Sequence, residues 1–365
     1  MELTDPKLLY LLAALTLSFF LIVLIFWRKF SKTSPLAILG RVISILVMNV
    51  ALIATVGVAL NNYGEFYTSW GELLGRQTAS TSIVERPSLG VTKQDLESAA
   101  YTKDGTAIIK KLIHGEKSGI TAQVYFSLPK SYVETVQKGF SNISKYRVIE
   151  FFSGYPGHEI AWIHGFHIVD RLDVFTKMND VLDKPEVIGV FPNINIVPKF
   201  DSECMDIPNG PQVETWLSID VVNFTNNWLR LLPTRWGTAG YSTGGWCSVM
   251  LTLRHPDKYV AAAGLAGYYS PFVDRQVPSA ISTQLKQNYD LNGILTNQPP
   301  PVSLFILNST NDSLSNSSTQ SLLKAIQSPI NLREVTLTGA GHNFTAWRKV
   351  LDPMVKWFIE QFAGG

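Results

Sequence analysis

Charge is scarce in this chain: Asp, Glu, Lys and Arg fill 16% of its 365 positions and sum to +2, where soluble domains usually carry about a quarter. With so small a net charge and no helix rich in lysine and arginine, the electrostatic footprint of a nucleic-acid binder is missing. No nucleic-acid partner is expected. Metal ligands are lacking too: His158, His164 and His167 have no cysteine partners and no pattern such as H-E-x-x-H. They read as surface or pocket-rim residues, and neither metal nor cofactor is called for. A glycine-rich phosphate loop, an internal repeat and a low-complexity tract are also absent. Cysteine is limited to Cys204 and Cys247.

Apolar residues, by contrast, make up 46% of the chain and concentrate near the N-terminus. Leu8 to Trp27 is uncharged throughout, long enough to cross a hydrocarbon core as a helix. A second run, Val42 to Leu60, is broken only by Ser44, Asn49, Thr55 and Gly57. Signal peptides are basic before a shorter core and end at a small-residue cleavage site; here Glu2, Asp5 and Lys7 precede the first run while Trp27, Arg28 and Lys29 close it. Two uncleaved membrane helices are expected. Arg28, Lys29, Lys32 and Arg41 lie between the runs, against Lys7 alone before them, so the connecting loop should face the cytoplasm and everything after residue 60 the outside. An external domain permits a disulfide from an even pair of cysteines; two separate buried thiols are the alternative.

The expected organisation is a membrane anchor over residues 1–62 (spans of about 8–27 and 42–60), a juxtamembrane segment and linker over 63–100, and a catalytic domain over 101–365. Asn61 to Gly75, rich in aromatic residues, suits an interfacial helix. Arg76 to Ser98 lacks apolar periodicity and reads as linker. Beyond it, Thr106–Ile113 and Ile120–Leu128 suggest a hairpin. Further strands are expected at Tyr146–Phe152, Val187–Pro192, Trp236–Gly240, Tyr259–Leu265, Val302–Leu307 and Glu334–Leu337. Most are separated by enough chain for a crossover helix, which implies a largely parallel sheet covered on both faces. Val187–Pro192 is expected beside Trp236–Gly240. Tyr268 to Pro301 reads as irregular pocket cover, and Ala346 to Phe362 as one final helix.

One pentapeptide carries chemistry. Gly240-Tyr241-Ser242-Thr243-Gly244 fits G-x-S-x-G, in which a serine occupies a strained strand-to-helix turn and glycines on either side avoid collision. Chance alone yields the pattern in about one chain of this length in ten, but here a strand leads in and a helix leads out. In α/β-hydrolases the triad runs Ser…Asp/Glu…His, so only His255 and His342 qualify as base. His255 ends the helix after Ser242, whereas His342 sits in a glycine-rich loop after the last strand and is preferred. Of Asp257, Asp274, Asp290, Asp312 and Glu334, Asp312 directly follows a strand and is the first choice for the acid; Asp274 is the second. Oxyanion donors are expected in the backbone N–H groups of Thr243 and Tyr155, the latter in Ser153–Gly157 after the Tyr146–Phe152 strand.

From about Lys103 to Phe362 the chain resembles the esterase D-like esterase family, which includes S-formylglutathione hydrolases and actinobacterial mycolyltransferases. The stretches that carry the likeness are SGITAQVYFSLP, GYSTGGWCSVMLTLRHPDKYVAAAGLAGYY and GAGHNFTAWRKVLDPMVKWF. The resemblance implies an α/β-hydrolase fold, Ser242 as nucleophile, His342 as base, Asp312 as acid and a Cys204–Cys247 bridge. Tyr155-Pro156 and the membrane anchor depart from the secreted members. The expected activity is cleavage of acyl or lipid esters; alternatives are acyl transfer to a cell-envelope glycan or glycolipid, and a non-catalytic binding protein on a hydrolase scaffold.

Overall fold

The computed structural model describes residues 3–30, 34–64, 67, 70–74, 90–138, 146–180, 185–232, 235–273 and 276–363. Two compact units divide the chain, Met1–Thr81 and Ser82–Gly365.

The first unit holds two helices, Pro6–Phe30 and Pro35–Gly64, and Pro6–Trp27 and Pro35–Tyr63 within them are long and apolar enough to cross a membrane. Three of the polar interruptions in the second helix are bonded within it. Ser44 Oγ donates to Gly40 O at 2.8 Å, Asn49 Nδ2 to Ile45 O at 2.9 Å and Thr55 Oγ1 to Ala51 O at 2.8 Å. Each thus returns to the carbonyl one turn back, the local solution open to short polar side chains in helices. Thr16 and Thr55 also meet across the pair at 3.0 Å. Of the aromatic stretch after the second helix, Asn61–Gly64 continues that helix and Trp70–Leu73 forms a single turn. Residues 65–66, 68–69 and 75 lie outside the described residues, so the expected interfacial helix is described only in these pieces. Most of the stretch read as linker is likewise outside, but its end is a helix, Lys93–Glu97. A reciprocal capping box of Thr92 and Asp95 starts it.

The second unit is built on a nine-stranded sheet: β1 (Ala100–Tyr101), β2 (Ala107–His114), β3 (Thr121–Leu128), β4 (Tyr146–Phe152), β5 (Glu186–Pro192), β6 (Trp236–Tyr241), β7 (Tyr259–Leu265), β8 (Ser303–Ser309) and β9 (Asn331–Leu337), in spatial order β1-β2-β3-β5-β4-β6-β7-β8-β9. β1, β2, β3 and β5 pair antiparallel; from β5 to β9 all pairing is parallel. The sheet is therefore mixed, as befits an α/β-hydrolase fold. Every residue of β5 and β6 is buried, and every residue of β4 except the half-buried Arg147, because helices cover both faces of the parallel part. One apolar cluster, with Phe126, Trp228, Val249 and Leu251, fills one face, and a second, with Phe151, Trp162, Phe305 and Trp357, fills the other.

Three expectations need correction. β5 is not beside β6: β4 lies between them. The chain steps outward from β4 to β5 and then back across to β6, which makes the crevice above β4 and β6 a topological switch point, where α/β sheets bind ligands. The segment 268–301 is not irregular, since Ser279–Asn288 and Leu291–Asn297 are helical; Pro278 opens the first, and Asp290 caps the second through Asn292 N. Finally, the last helix is two, Phe344–Arg348 and Leu351–Ala363. Pro353 has no N–H to continue the first, yet fits the opening turn of the second.

Candidate active site

β6 ends at Tyr241 and the helix Thr243–Arg254 starts two residues later, so Ser242 alone makes the turn. It adopts φ 56° and ψ −123°, a conformation that a residue with a side chain holds only when its surroundings enforce it. Part of that enforcement is a bond from Ser242 N to Leu265 O at the end of β7, 2.9 Å. The tightness explains both flanking glycines. A methyl on Gly240 would lie 1.9 Å from the Gly244 carbonyl oxygen, and one on Gly244 would lie 2.2 Å from that of Phe152.

His342 reaches this turn from the loop between β9 and the Phe344–Arg348 helix. Its Nε2 lies 2.8 Å from Ser242 Oγ, and its Nδ1 lies 2.8 Å from Asp312 Oδ2. Trp347 meets the imidazole edge-on at 5.0 Å and limits its rotation. Asp312, fully buried just past β8, also accepts from Leu314 N, Ser315 N and Ser315 Oγ at 3.0, 3.2 and 2.6 Å. Burial pushes its carboxyl up, but the bonds from His342 and Ser315 outweigh that and hold it below the ordinary value. An ionised carboxylate only accepts, so Nδ1 donates to it and Nε2 is left to accept from the serine hydroxyl. Such a relay can draw a proton from the hydroxyl and stabilise the imidazolium that results.

The other candidates among the described residues are engaged elsewhere. Asp257 pairs with Lys258 at 3.0 Å, Asp290 caps a helix, and Glu334 bonds Thr336 on β9. Asp274 lies outside the described residues. His255 stands at the far end of the serine's helix, about 20 Å away by helical rise, with Nε2 2.7 Å from Glu214 Oε1. Glu214 also binds Arg254 and Tyr289; burial raises its carboxyl, yet bonds from His255 and Arg254 bring it down to about 2. That cluster is structural. Of the upstream histidines, His158 is half-buried and His164 and His167 are exposed, and among the described residues no group of three or more His, Cys, Asp or Glu is arranged to hold a metal.

Phe152 pairs with Gly240, so the loop after β4 leaves the sheet beside the serine. Gly154 touches it: a methyl there would sit 3.1 Å from Ser242 Cβ. Thr243 opens its helix, where an N–H has no intrahelical carbonyl to meet. What sequence reading missed are two polar contacts made by the segment after β5. Asn195 Nδ2 donates to Gly157 O and, at 3.3 Å, to Gly154 O. Thr243 Oγ1 donates to Asp201 Oδ2 at 3.1 Å and accepts from Tyr268 OH at 3.3 Å. Burial pushes the Asp201 carboxyl up to about 6 against the bonds from Glu203 N and Thr243. Close by, the structure joins Cys204 to Cys247, with Cα atoms 5.6 Å apart. Cys204, three residues past Asp201, was the one signal in the sequence that this segment meets the serine's helix.

Comparison with known proteins gives the chemistry a family. The family described as "Putative esterase" matches residues 119–358, about two thirds of the chain. The chain belongs to that family. It is a serine-type carboxylic ester hydrolase of the α/β-hydrolase fold. Among solved structures, a ferulic acid esterase matches with a TM-score of 0.57 at 19% identity, over 70% of this chain and 99% of its own. An S-formylglutathione hydrolase from Agrobacterium tumefaciens matches at 0.56 and 15%, over 72% and 97%. FphF, a fluorophosphonate-binding serine hydrolase of Staphylococcus aureus, matches at 0.56 and 15%, over 70% and 98%. At these identities the likeness is one of fold. A search of curated protein sequences finds no significant match.

Proposed function

We propose that this esterase works through Ser242, His342 and Asp312, with the backbone N–H groups of Thr243 and Tyr155 as its oxyanion site. The observation that carries this reading is the unbroken relay, 2.8 Å from serine to imidazole and 2.8 Å from imidazole to a buried carboxylate. Ser242 Oγ attacks the acyl carbonyl while His342 Nε2 takes its proton. The negative oxygen that develops is met by the two N–H groups. His342 then protonates the departing alcohol, and water, deprotonated by the same imidazole, releases the acid from the acyl-enzyme.

The substrate in this reading is an acyl or lipid ester, and the setting is a cell membrane. Residues 1–62 form the anchor, 63–100 the juxtamembrane segment and linker, and 101–365 the catalytic domain, on the extracellular side. Support for the anchor comes from the two apolar helices and the three polar side chains bonded within the second; support for the orientation comes from Arg28, Lys29, Lys32 and Arg41 between the apolar runs. An enzyme held there has cell-envelope hydroxyls within reach, which favours a second reading: a glycan or glycolipid hydroxyl replaces water in resolving the acyl-enzyme. The Cys204–Cys247 bridge belongs to the same extracellular picture.

Fluorophosphonate treatment followed by peptide mapping tests the nucleophile. Modification should fall on Ser242 and vanish in Ser242→Ala; modification elsewhere would overturn the triad. Products formed with and without a glycan acceptor separate hydrolysis from transfer.

A further inference from the structure

We propose that Asn195 is a positioning residue of the oxyanion site: its side-chain amide holds the Gly154–Tyr155 peptide so that the Tyr155 N–H faces the reacting carbonyl oxygen. The inference rests on Tyr155 acting as an oxyanion donor, as proposed above.

The geometry begins at the end of β5. Asn193 N donates to Gln123 O at 3.0 Å and Asn193 O accepts from Trp216 Nε1 at 3.2 Å, which fixes the chain there. Asn193 Oδ1 then accepts from Asn195 N at 2.8 Å, a side-chain turn that sets where Asn195 points. Its amide nitrogen meets two carbonyl oxygens, Gly154 O and Gly157 O. Both neighbours accept, so the NH2 end and not the oxygen must face them.

Gly154 O and Tyr155 N–H belong to one peptide unit, and that unit is trans. The two groups therefore point in opposite directions. Holding the carbonyl toward Asn195 aims the N–H away from it, from a residue that lies against Ser242. Glycine at 154 leaves the backbone free to rotate unless something outside the loop restrains it. Asn195 supplies that restraint at both ends of the turn. A bond donated to the carbonyl also polarises the amide and strengthens its N–H as a donor.

The test uses the full chain in detergent, with wild type, Ser242→Ala, Asn195→Asp and Asn195→Ala. Asn195→Asp keeps the shape and removes the donor; Asn195→Ala removes the side chain and decides the matter if the aspartate variant fails to fold. Active sites are first counted by fluorophosphonate incorporation. Turnover of a p-nitrophenyl ester per counted site and affinity for an aryl boronic acid, which forms a tetrahedral adduct on the serine, are then measured. Deleting an oxyanion donor outright costs about 100- to 1,000-fold in kcat. A misaimed donor should cost roughly 10- to 100-fold in kcat with KM little changed, and boronate affinity should fall in parallel because the adduct resembles the transition state. A purely structural role would lower the count of sites and leave both per-site quantities alone; that result, or wild-type values throughout, overturns the inference. If turnover survives Ser242→Ala, the triad itself fails. If turnover needs Ser242 but not Asn195, only the role of Asn195 falls.

Discussion

The Thr243 hydroxyl donates to the Asp201 carboxylate at 3.1 Å, so the residue that follows the serine is tied to a segment more than forty positions earlier in the chain. Asp201 is raised by burial from 3.8 to about 6. A carboxyl raised in the folded state is at its most favourable below its unfolded value, and stability is lost as pH climbs through the folded one. Asp201→Asn keeps an acceptor for Thr243 but cannot ionise. The difference in Tm, variant minus wild type, should therefore grow between about pH 4 and pH 7. A difference that stays flat across that window would show that Asp201 is not raised.

Replacing Ser242 or His342 by alanine should lower ester turnover by about 10⁵- to 10⁶-fold, as loss of a nucleophile or base does elsewhere. Asp312→Asn should cost about 10⁴-fold, because an amide misplaces the imidazole tautomer. Asp274→Asn is the control. Should it prove the more damaging of the two, the acid has been misassigned.

That Ser242, His342 and Asp312 would come together was legible because each has a signal local in sequence. A strand, two glycines required by a turn, and a histidine in a glycine-rich loop after the final strand each announce themselves within a few residues. Tyr146–Phe152 and Tyr259–Leu265 were likewise visible as apolar runs and have the same bounds in the structure. The spatial order of strands was not, since no residue in β5 records whether β4 or β6 will lie beside it. The contacts of Asn195 and Asp201 were not foreseen for a related reason: their partners come near only through the sheet, and neither residue sits in a pattern of its own. The break before Leu351 was missed although Pro353 lay in plain view, because the apolar stripe of Val350, Met354, Trp357 and Phe358 reads through it.

The lysine and arginine balance predicts membrane topology. A cysteine introduced between Trp27 and Arg41 should resist an impermeant thiol reagent in intact cells, while one placed between Arg76 and Pro87 should react. The opposite labelling pattern would put the catalytic domain in the cytoplasm.

The last prediction concerns Cys204 and Cys247. Glu203 and Cys204 both have positive φ, 52° and 57°, and left-handed residues other than glycine cost of order 1–3 kcal/mol each unless their surroundings hold them. Here the surroundings do so from several sides. Trp246 Nε1 donates to Glu203 O at 2.9 Å, Phe272 N donates to the Glu203 carboxylate at 2.9 and 2.8 Å, and Asp201 takes the Thr243 hydroxyl. A disulfide spanning 43 positions adds a covalent hold, worth about 4 kcal/mol in the chain-entropy picture. Cys204→Ala with Cys247→Ala should therefore lower Tm by roughly 10 °C. The loss should appear as reduced turnover below the melting range as well, because the freed segment carries Asp201 and its contact with Thr243. Mass spectrometry of the nonreduced wild type gives the direct check: two thiols open to alkylation in folded, active protein would rule the bridge out and leave the segment held by hydrogen bonds alone.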